Sequence, residues 1–265
     1  MSSDAFTPGV DSAAPPSETT AGAAAATATP ADASVIVGIP AYNAAGTVGD
    51  VVSAALPHAD LVLVVDDGSR DETAERAAAA GAEVVSHEEN GGYGAALKTI
   101  FTEAAERGVD CLVVLDADGQ HDTADIPRLV AARERAAADV VIASRFAEGG
   151  TTDAPLYRRF GLAVINLLTN VSLGTLRSGR ISDTQSGFRA YSARAVASLA
   201  EDDSIGDRME ASLDILYHVR GLGYDVTEVG TTITYDVEQA SSDDPLSHGL
   251  ELVSAILART VRFSR

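Results

Sequence analysis

Apolar residues in this chain fall into two rhythms. Val35-Ile-Val-Gly-Ile39, Leu61-Val-Leu-Val-Val65, Glu83-Val-Val85, Cys111-Leu-Val-Val-Leu115 and Asp139-Val-Val-Ile-Ala143 are short, nearly continuous apolar runs. A strand exposed on one face would alternate with polar residues, so unbroken runs predict strands covered on both faces. The segments between them have helical length and spacing. Residues 34–144 are therefore expected to form a βαβ-type, mostly parallel sheet flanked by helices, an α/β fold. Ser69-Arg-Asp-Glu72 has capping-box spacing and predicts a helix starting there and running through Ala80, with Gly81 just past its end.

Beyond residue 145 the regularity falls. The spacing predicts a helix over 156–171, a loop over 183–189, a helix over 208–220, a strand or hairpin over 226–235, and an amphipathic helix over 248–262. Residues 1–33 are Ala, Thr, Ser and Pro with a few acids and no apolar period, a composition that does not repay the entropy of ordering. The expected organisation is thus a low-complexity tail over 1–33, one catalytic domain over 34–240 and a C-terminal amphipathic helix over 241–265.

Charge changes the picture next. The 265 residues hold 39 Asp and Glu against 19 Lys and Arg, a formal net charge of −20. A field of that sign repels phosphate backbones and argues against nucleic acid as a partner. Lys98 is the only lysine. An acidic, lysine-poor, alanine-rich chain is expected from a halophilic archaeon, where molar salt screens charge within about 3 Å. The one cysteine, Cys111, lies in an apolar run and is expected to be buried and inert. No Lys or Arg precedes Arg70, so no signal peptide is expected, and no apolar stretch reaches the ~20 residues that span a bilayer. A cytoplasmic protein, peripheral on the inner face of the membrane, is the expectation.

Ligands of open α/β sheets collect beyond the carboxyl ends of the strands. There this chain places Pro40-Ala-Tyr-Asn43, Asp66-Asp67-Gly68-Ser69 and Asp116-Ala-Asp118-Gly-Gln-His121. Two residues apart in an extended segment, Asp116 and Asp118 project to one side and can face one hard cation, Mg²⁺ or Mn²⁺. A polar loop after a buried strand is the plainer alternative. For Asp66 and Asp67 the alternatives are a capped turn or a hydrogen-bond acceptor for a nucleoside. Asn90-Gly-Gly-Tyr-Gly-Ala-Ala96 lets backbone approach a ligand at the entry to a helix, but it is not a phosphate-loop motif.

Together Ile39-Pro-Ala-Tyr-Asn43, Val65-Asp-Asp-Gly-Ser69, residues 90–96, Asp116 to His121, Ser144-Arg145 and Asp183-Thr-Gln-Ser-Gly-Phe-Arg189 resemble, in order and spacing, the family 2 glycosyltransferases. The likeness covers about residues 34–235 and is nearest to the dolichyl-phosphate mannose or glucose synthase branch. It implies a GT-A fold and an inverting transfer of a hexose from a GDP- or UDP-sugar, with a polyprenyl (dolichyl) phosphate as acceptor; extension of a lipid-linked glycan, or a non-catalytic nucleotide-sugar-binding paralogue, are the alternatives. The implied nucleotide-sugar set is Pro40, Ala41, Tyr42, Asn43, Asp66, Asp67, Gly94, Asp116, Ala117 and Asp118, with Mg²⁺ or Mn²⁺ on Asp116 and Asp118. Gln120 is implied near the metal and sugar, and Asp183 near the acceptor or base. The chain departs from the family at Ala44, where Glu is common, and at Tyr93, where a basic residue is frequent.

A lipid phosphate, with second pKa ≈ 6, is mostly dianionic at neutral pH and needs cationic positioning more than a general base. Arg145 and Arg189 are candidates because guanidinium grips phosphate bidentately. Asp183 is left either to orient an arginine or to take a proton, and Asp183→Asn is expected to keep more activity than Asp118→Asn. Residues 155–194 hold six arginines (158, 159, 177, 180, 189, 194) and one acid, Asp183, a local net of +5 in an acidic chain. Leu156, Phe160, Val164, Leu167, Leu168 and Val171 recur there at helical spacing, so a membrane surface is an expected partner. A nicotinamide dehydrogenase is disfavoured because no Gly-x-Gly-x-x-Gly follows the first strand. An aspartyl phosphohydrolase is disfavoured because its motif belongs after the first strand too.

Overall fold

A computed structural model describes Met1 and residues 34–176, 179–206 and 210–233. The expected tail over 1–33, the helix over 241–265, and Arg177, Arg208 and Tyr235 lie outside the described residues.

The described elements run β1 (Val35–Ala41), α1 (Val48–Ala55), β2 (Leu61–Asp66), α2 (Thr73–Ala79), β3 (Glu83–Ser86), α3 (Tyr93–Glu106), β4 (Cys111–Val114), α4 (Ile126–Ala136), β5 (Val140–Ser144), β6 (Thr151–Thr152), α5 (Leu156–Ser172), β7 (Arg189–Ser192), α6 (Ala193–Ala200), α7 (Ala211–Gly221), β8 (Val226–Gly230) and β9 (Thr232–Ile233). Seven strands form one sheet in the order β3-β2-β1-β4-β7-β5-β8, and β6 pairs with β9 separately. Every pairing in the large sheet is parallel except those of β7, which is antiparallel to both β4 and β5.

The continuous apolar runs are covered on both faces, as the hydrophobic pattern requires. Along β2, Leu63 and Val65 pack with Ile100 and Phe101 of α3, whereas Val62 and Val64 join Val48 and Val52 of α1. Leu112 and Val114 of β4 likewise face the α3 side, while Cys111 and Val113 face the other. Alternate side chains thus feed two cores, one between the sheet and α3, α6 and α7, the other between the sheet and α1, α2 and α4. Cys111 is fully buried, and burial pushes its thiol up to about 11.

One local expectation changes and two are made more definite. Helix α2 starts at Thr73, not at Ser69; the Ser69 hydroxyl instead accepts a hydrogen bond from the Asn43 N–H at 2.8 Å, which ties it to the loop after β1. Asp71 turns the chain there by accepting from the Thr73 N–H at 3.2 Å. Of the strand or hairpin expected over 226–235, the strand alternative is found: β8 extends the large sheet beside β5, and β9 joins β6. The segment expected as a helix over 208–220 is described as α7 from Ala211.

The chain leaves β1 toward β2 on one side and β4 continues on the other, so the order reverses between β1 and β4. A crevice opens outside the carboxyl ends of strands at such a reversal. Asp66 ends β2 in register with Ala41, and Asp116 lies two residues past the end of β4.

Candidate active site

The loops after β1 and β2 are stitched together. Besides the Ser69 bond, the Arg70 N–H donates to Asn43 Oδ1 at 2.9 Å, the Ala44 N–H to the Thr73 hydroxyl at 2.8 Å, and the Ala45 N–H to Asp71 at 3.1 Å. This network holds Tyr42 outward at 46% exposure and Asn43 in the left-handed region at φ 50°. Pro40 and Ala41 stay buried in β1.

Asp66 and Asp67 divide their work. Asp67 is consumed by the protein: its carboxylate accepts from the Gly91 N–H at 2.9 Å and the Gly92 N–H at 2.7 Å, and pairs with His87 Nδ1 at 2.7 Å. It ties the glycine loop at the start of α3 to the end of β2. Gly68 permits that closeness, since at φ +69° an added Cβ would stand 2.6 Å from the Glu89 carbonyl carbon. Asp66 is 5% exposed, and its Oδ1 has no hydrogen-bond partner among the described residues. An orphaned buried acceptor is costly unless a ligand donor meets it.

Past β4, Asp116 is half-buried and Asp118 exposed. Burial opposes the charge on Asp116, but hydrogen bonds from His121 and Tyr93 and the nearby Arg189 guanidinium together hold its carboxyl below the usual range. The His121 Nε2 contact is 3.4 Å. Burial and the Asp116 charge push the Tyr93 phenol well above its ordinary value, so it stays a donor. Asp118 lies at the rim, where protein packed around it and the charge on Asp116 push its carboxyl up. It accepts from the Gln120 N–H at 2.9 Å across Gly119, which turns at φ +75°. Gly187 passes so close that a Cβ there would stand 2.7 Å from Asp116 Oδ2 and 3.0 Å from the Tyr93 hydroxyl.

Among the described residues no three His, Cys, Asp or Glu side chains gather to hold a metal. Two carboxylates, one kept charged and the other open to solvent, nonetheless fit a magnesium-like cation, which takes one or two carboxylates and completes its shell with water and substrate phosphate oxygens.

At the end of β5, Asp183 is fully buried against Arg145. Arg145 Nε donates to Oδ2 at 2.7 Å, Nη2 to Oδ1 at 2.6 Å, and the Arg145 backbone N–H to Oδ2 at 3.0 Å. Arg189 differs from the expected phosphate grip. It is 1% exposed, and its guanidinium donates to the carbonyls of Ser186 at 2.8 Å, Thr184 at 3.0 Å and Ser212 at 3.1 Å. It braces the 184–188 loop and lends its charge to Asp116 from beneath. Gly94 and Ala117 are buried, in the first turn of α3 and between the two aspartates. Tyr42, Asn43, Asp66, Asp116, Asp118 and Gln120 thus stand at or just past the carboxyl ends of β1, β2 and β4, while Asp67 and Arg189 are taken up by hydrogen bonds within the protein.

His121 and Tyr93 were not among the expected site residues, although both stood inside motifs read from the sequence. Gly187 likewise lies inside a motif read from the sequence, whereas Asn166 and Glu228 left no signal, because their contacts join elements distant in the chain.

The basic segment is reshaped as well. Arg194 pairs with Asp139 at 2.5 Å while its own side chain stays largely exposed, Arg189 is buried, and Arg159 and Arg180 are exposed. Outward on α5 stand Leu156 (80% exposed), Tyr157, Phe160 (73%), Leu167 and Val171. Among the described residues no helix is long and apolar enough to cross a membrane.

The sequence model of glycosyl transferase family 2 matches residues 36–199. The polyprenol monophosphomannose synthase of Mycolicibacterium smegmatis is 32% identical over 225 residues, 81% of this chain and 82% of its own length. The UDP-N-acetylglucosamine–dolichyl-phosphate N-acetylglucosaminyltransferase of Methanococcus voltae is 30% identical over 190 residues, 64% and 74%. Glucosyl-3-phosphoglycerate synthase of Mycobacterium tuberculosis, solved with Mn²⁺, uridine diphosphate and phosphoglyceric acid, has the same fold at a TM-score of 0.64 and 22% identity, covering 86% of this chain and 79% of that one.

Proposed function

Because this chain belongs to glycosyl transferase family 2, is a glycosyltransferase and has the GT-A fold, we propose that it moves a hexose, with inversion, from a nucleoside-diphosphate sugar to a polyprenyl phosphate. The observation that supports this reading most is the pair of carboxylates just past β4, Asp116 held charged and Asp118 open, at the same end of the sheet as the orphaned Asp66 oxygen at the end of β2. Both curated relatives have a polyprenyl phosphate in their names but different sugars, which supports a lipid phosphate acceptor and leaves the donor to a GDP- and UDP-sugar panel.

In this reading Asp66 accepts from the N–H edge of the base or from the ribose, and Tyr42 and Asn43 flank the nucleoside. Asp116 and Asp118 would hold Mg²⁺ or Mn²⁺, which when bound neutralises charge developing on the departing diphosphate, a stabilisation concentrated in the transition state. Gln120, kept near Asp118 by the Gly119 turn, stands where the sugar arrives. Tyr93 and His121 fix the Asp116 carboxylate by hydrogen bonds. A dianionic lipid phosphate is already an oxyanion, so no residue has to remove a proton from it. Asp183, occupied by three donors of Arg145, orients that arginine. The exposed apolar face of α5 lies in the interface of the inner membrane surface and admits the lipid, with apolar burial supplying most of the affinity in a high-salt cytoplasm.

The test is incubation of the full chain in molar salt with Mg²⁺ or Mn²⁺, a panel of nucleotide sugars and dolichyl phosphate, followed by mass spectrometry of the lipid. A metal-dependent hexosyl-lipid supports the reading; transfer only to a lipid-linked glycan, or no lipid product from a folded protein, refutes it.

A further inference from the structure

Helix α5 turns an ordinary amphipathic arrangement around. Its large outward side chains are mostly apolar, Arg159 excepted, and the positions it buries include Asn166, Thr169 and Asn170. A buried asparagine amide is unfavourable unless its polar atoms are bonded. Here they are, and the bonds share one target. Asn166 Oδ1 accepts from the Thr184 N–H at 3.0 Å and the Thr184 hydroxyl at 2.7 Å, and its Nδ2 donates to the Ser182 carbonyl at 2.7 Å. One turn on, Asn170 Oδ1 accepts from the Ile181 N–H at 2.8 Å and the Thr175 hydroxyl at 2.7 Å, while its Nδ2 donates to the Ile181 and Asn166 carbonyls, each at 2.7 Å.

Residues four apart on a helix share a face, so the two amides grip the backbone of 181–184 much as a neighbouring strand would. Glu228 of β8 completes the hold, accepting from the Ser182 N–H and hydroxyl at 2.8 Å each and from the Asp183 N–H at 2.9 Å. Asp183 sits inside this clamp, and its carboxylate reaches Arg145 from there. Simple packing of a helix on a loop needs only apolar contact. Amides directed at consecutive backbone groups define the loop's position, which is what a site requires of the shell that supports it.

We propose that Asn166 and Asn170 are positioning residues for the Asp183–Arg145 pair. Their amides set where the pair stands at the end of β5, and so govern turnover without touching donor or metal. The kinetic consequence rests on the transferase reading above; the structural one does not.

Asn166→Ala and Asn170→Ala in the full chain test this with two readouts. Amide hydrogen exchange is expected to speed up about tenfold or more over residues 181–184 and to stay unchanged in β1 and β2, the mark of a local opening. In lipid transfer kcat is expected to fall about 100-fold, the effect of displacing a positioned group by roughly 1 Å, with KM for the nucleotide sugar unchanged within about threefold. Asn166→Ser, too short to reach both Ser182 and Thr184, serves if an alanine variant does not fold. Unchanged exchange over 181–184, faster exchange throughout the sheet, or a kcat within about threefold of the parent would each overturn the proposal. If the parent transfers no sugar, the transferase reading fails and the exchange experiment still decides the clamp.

Discussion

Asp118 and Asp183 are both carboxylates at strand ends, with opposite surroundings. Asp118 is exposed and hydrogen-bonded by the Gln120 N–H, so Asp118→Asn removes a charge without opening the core. It is expected to leave the melting temperature within about 2 °C of the parent, as for surface substitutions generally, and to lower metal-dependent transfer by about 100-fold or more, the scale of losing a group that stabilises transition-state charge. Asp183→Asn leaves the buried Arg145 without its counter-charge, and breaking such a pair costs about 3–5 kcal/mol. Thermal melts should show that loss, while activity measured below the melting range remains above that of Asp118→Asn. Equal activity losses in two well-folded variants would contradict the assignment of Asp183 as an orienting group.

Elements differ in how far their sequence announces them. The runs of β1, β2, β4 and β5 are apolar on both faces because helices cover both sides, and such runs are visible in a single sequence. Strand β7 is not: Arg189-Ala-Tyr-Ser192 is four residues with a charge at its head, and it becomes a central strand only because the loop before it brings it in antiparallel between β4 and β5. Helix α5 has the expected extent, but periodicity could not say which face turns inward. The amides of Asn166 and Asn170, which bond to backbone of residues 181–184 beyond the end of the helix, decide it. For the outward face, Phe160→Glu combined with Leu167→Glu should abolish binding to anionic liposomes while leaving circular dichroism and melting intact. Unchanged binding would remove the membrane from the account.

Asp139 joins three elements at the edge of the sheet. It accepts from Arg194 Nε at 2.9 Å, the Ser192 hydroxyl at 3.1 Å and the Asp225 N–H at 2.9 Å. Burial alone would raise its carboxyl, but those bonds, led by Arg194, hold it below the usual range. A depressed carboxylate stabilises the fold above its unfolded pKa, about 3.9, and that contribution is lost as pH falls through the lower folded value. Asp139→Asn should therefore cost about 1–3 kcal/mol at pH 7, as hydrogen bonds to a charged group do. The difference should shrink below about pH 4. A cost independent of pH in urea melts would show that the charge contributes nothing.

At the scale of the molecule, topology places the candidate site: the strand order reverses between β1 and β4, and the acidic groups after β2 and β4 lie past the same end of the sheet, on either side of β1. The residues a ligand can touch were legible in the motifs because they are local to strand ends. Their supports were less so, since Arg189, Gly187, Glu228 and the asparagines of α5 act through contacts between distant segments. The local basic excess over 155–194 is reduced in the same way, as Arg189 turns to backbone carbonyls and Arg194 pairs with Asp139, while Arg159 and Arg180 stay exposed. The outward face of α5 is chiefly apolar, which suits a lipid partner under strong screening. The most direct measurement is transfer to dolichyl phosphate in molar salt across nucleotide sugars, with and without chelator. A hexosyl-phospholipid that forms with Mg²⁺ or Mn²⁺ and vanishes on chelation is the predicted result; product undiminished by chelation, or none from folded protein with any donor, would contradict it.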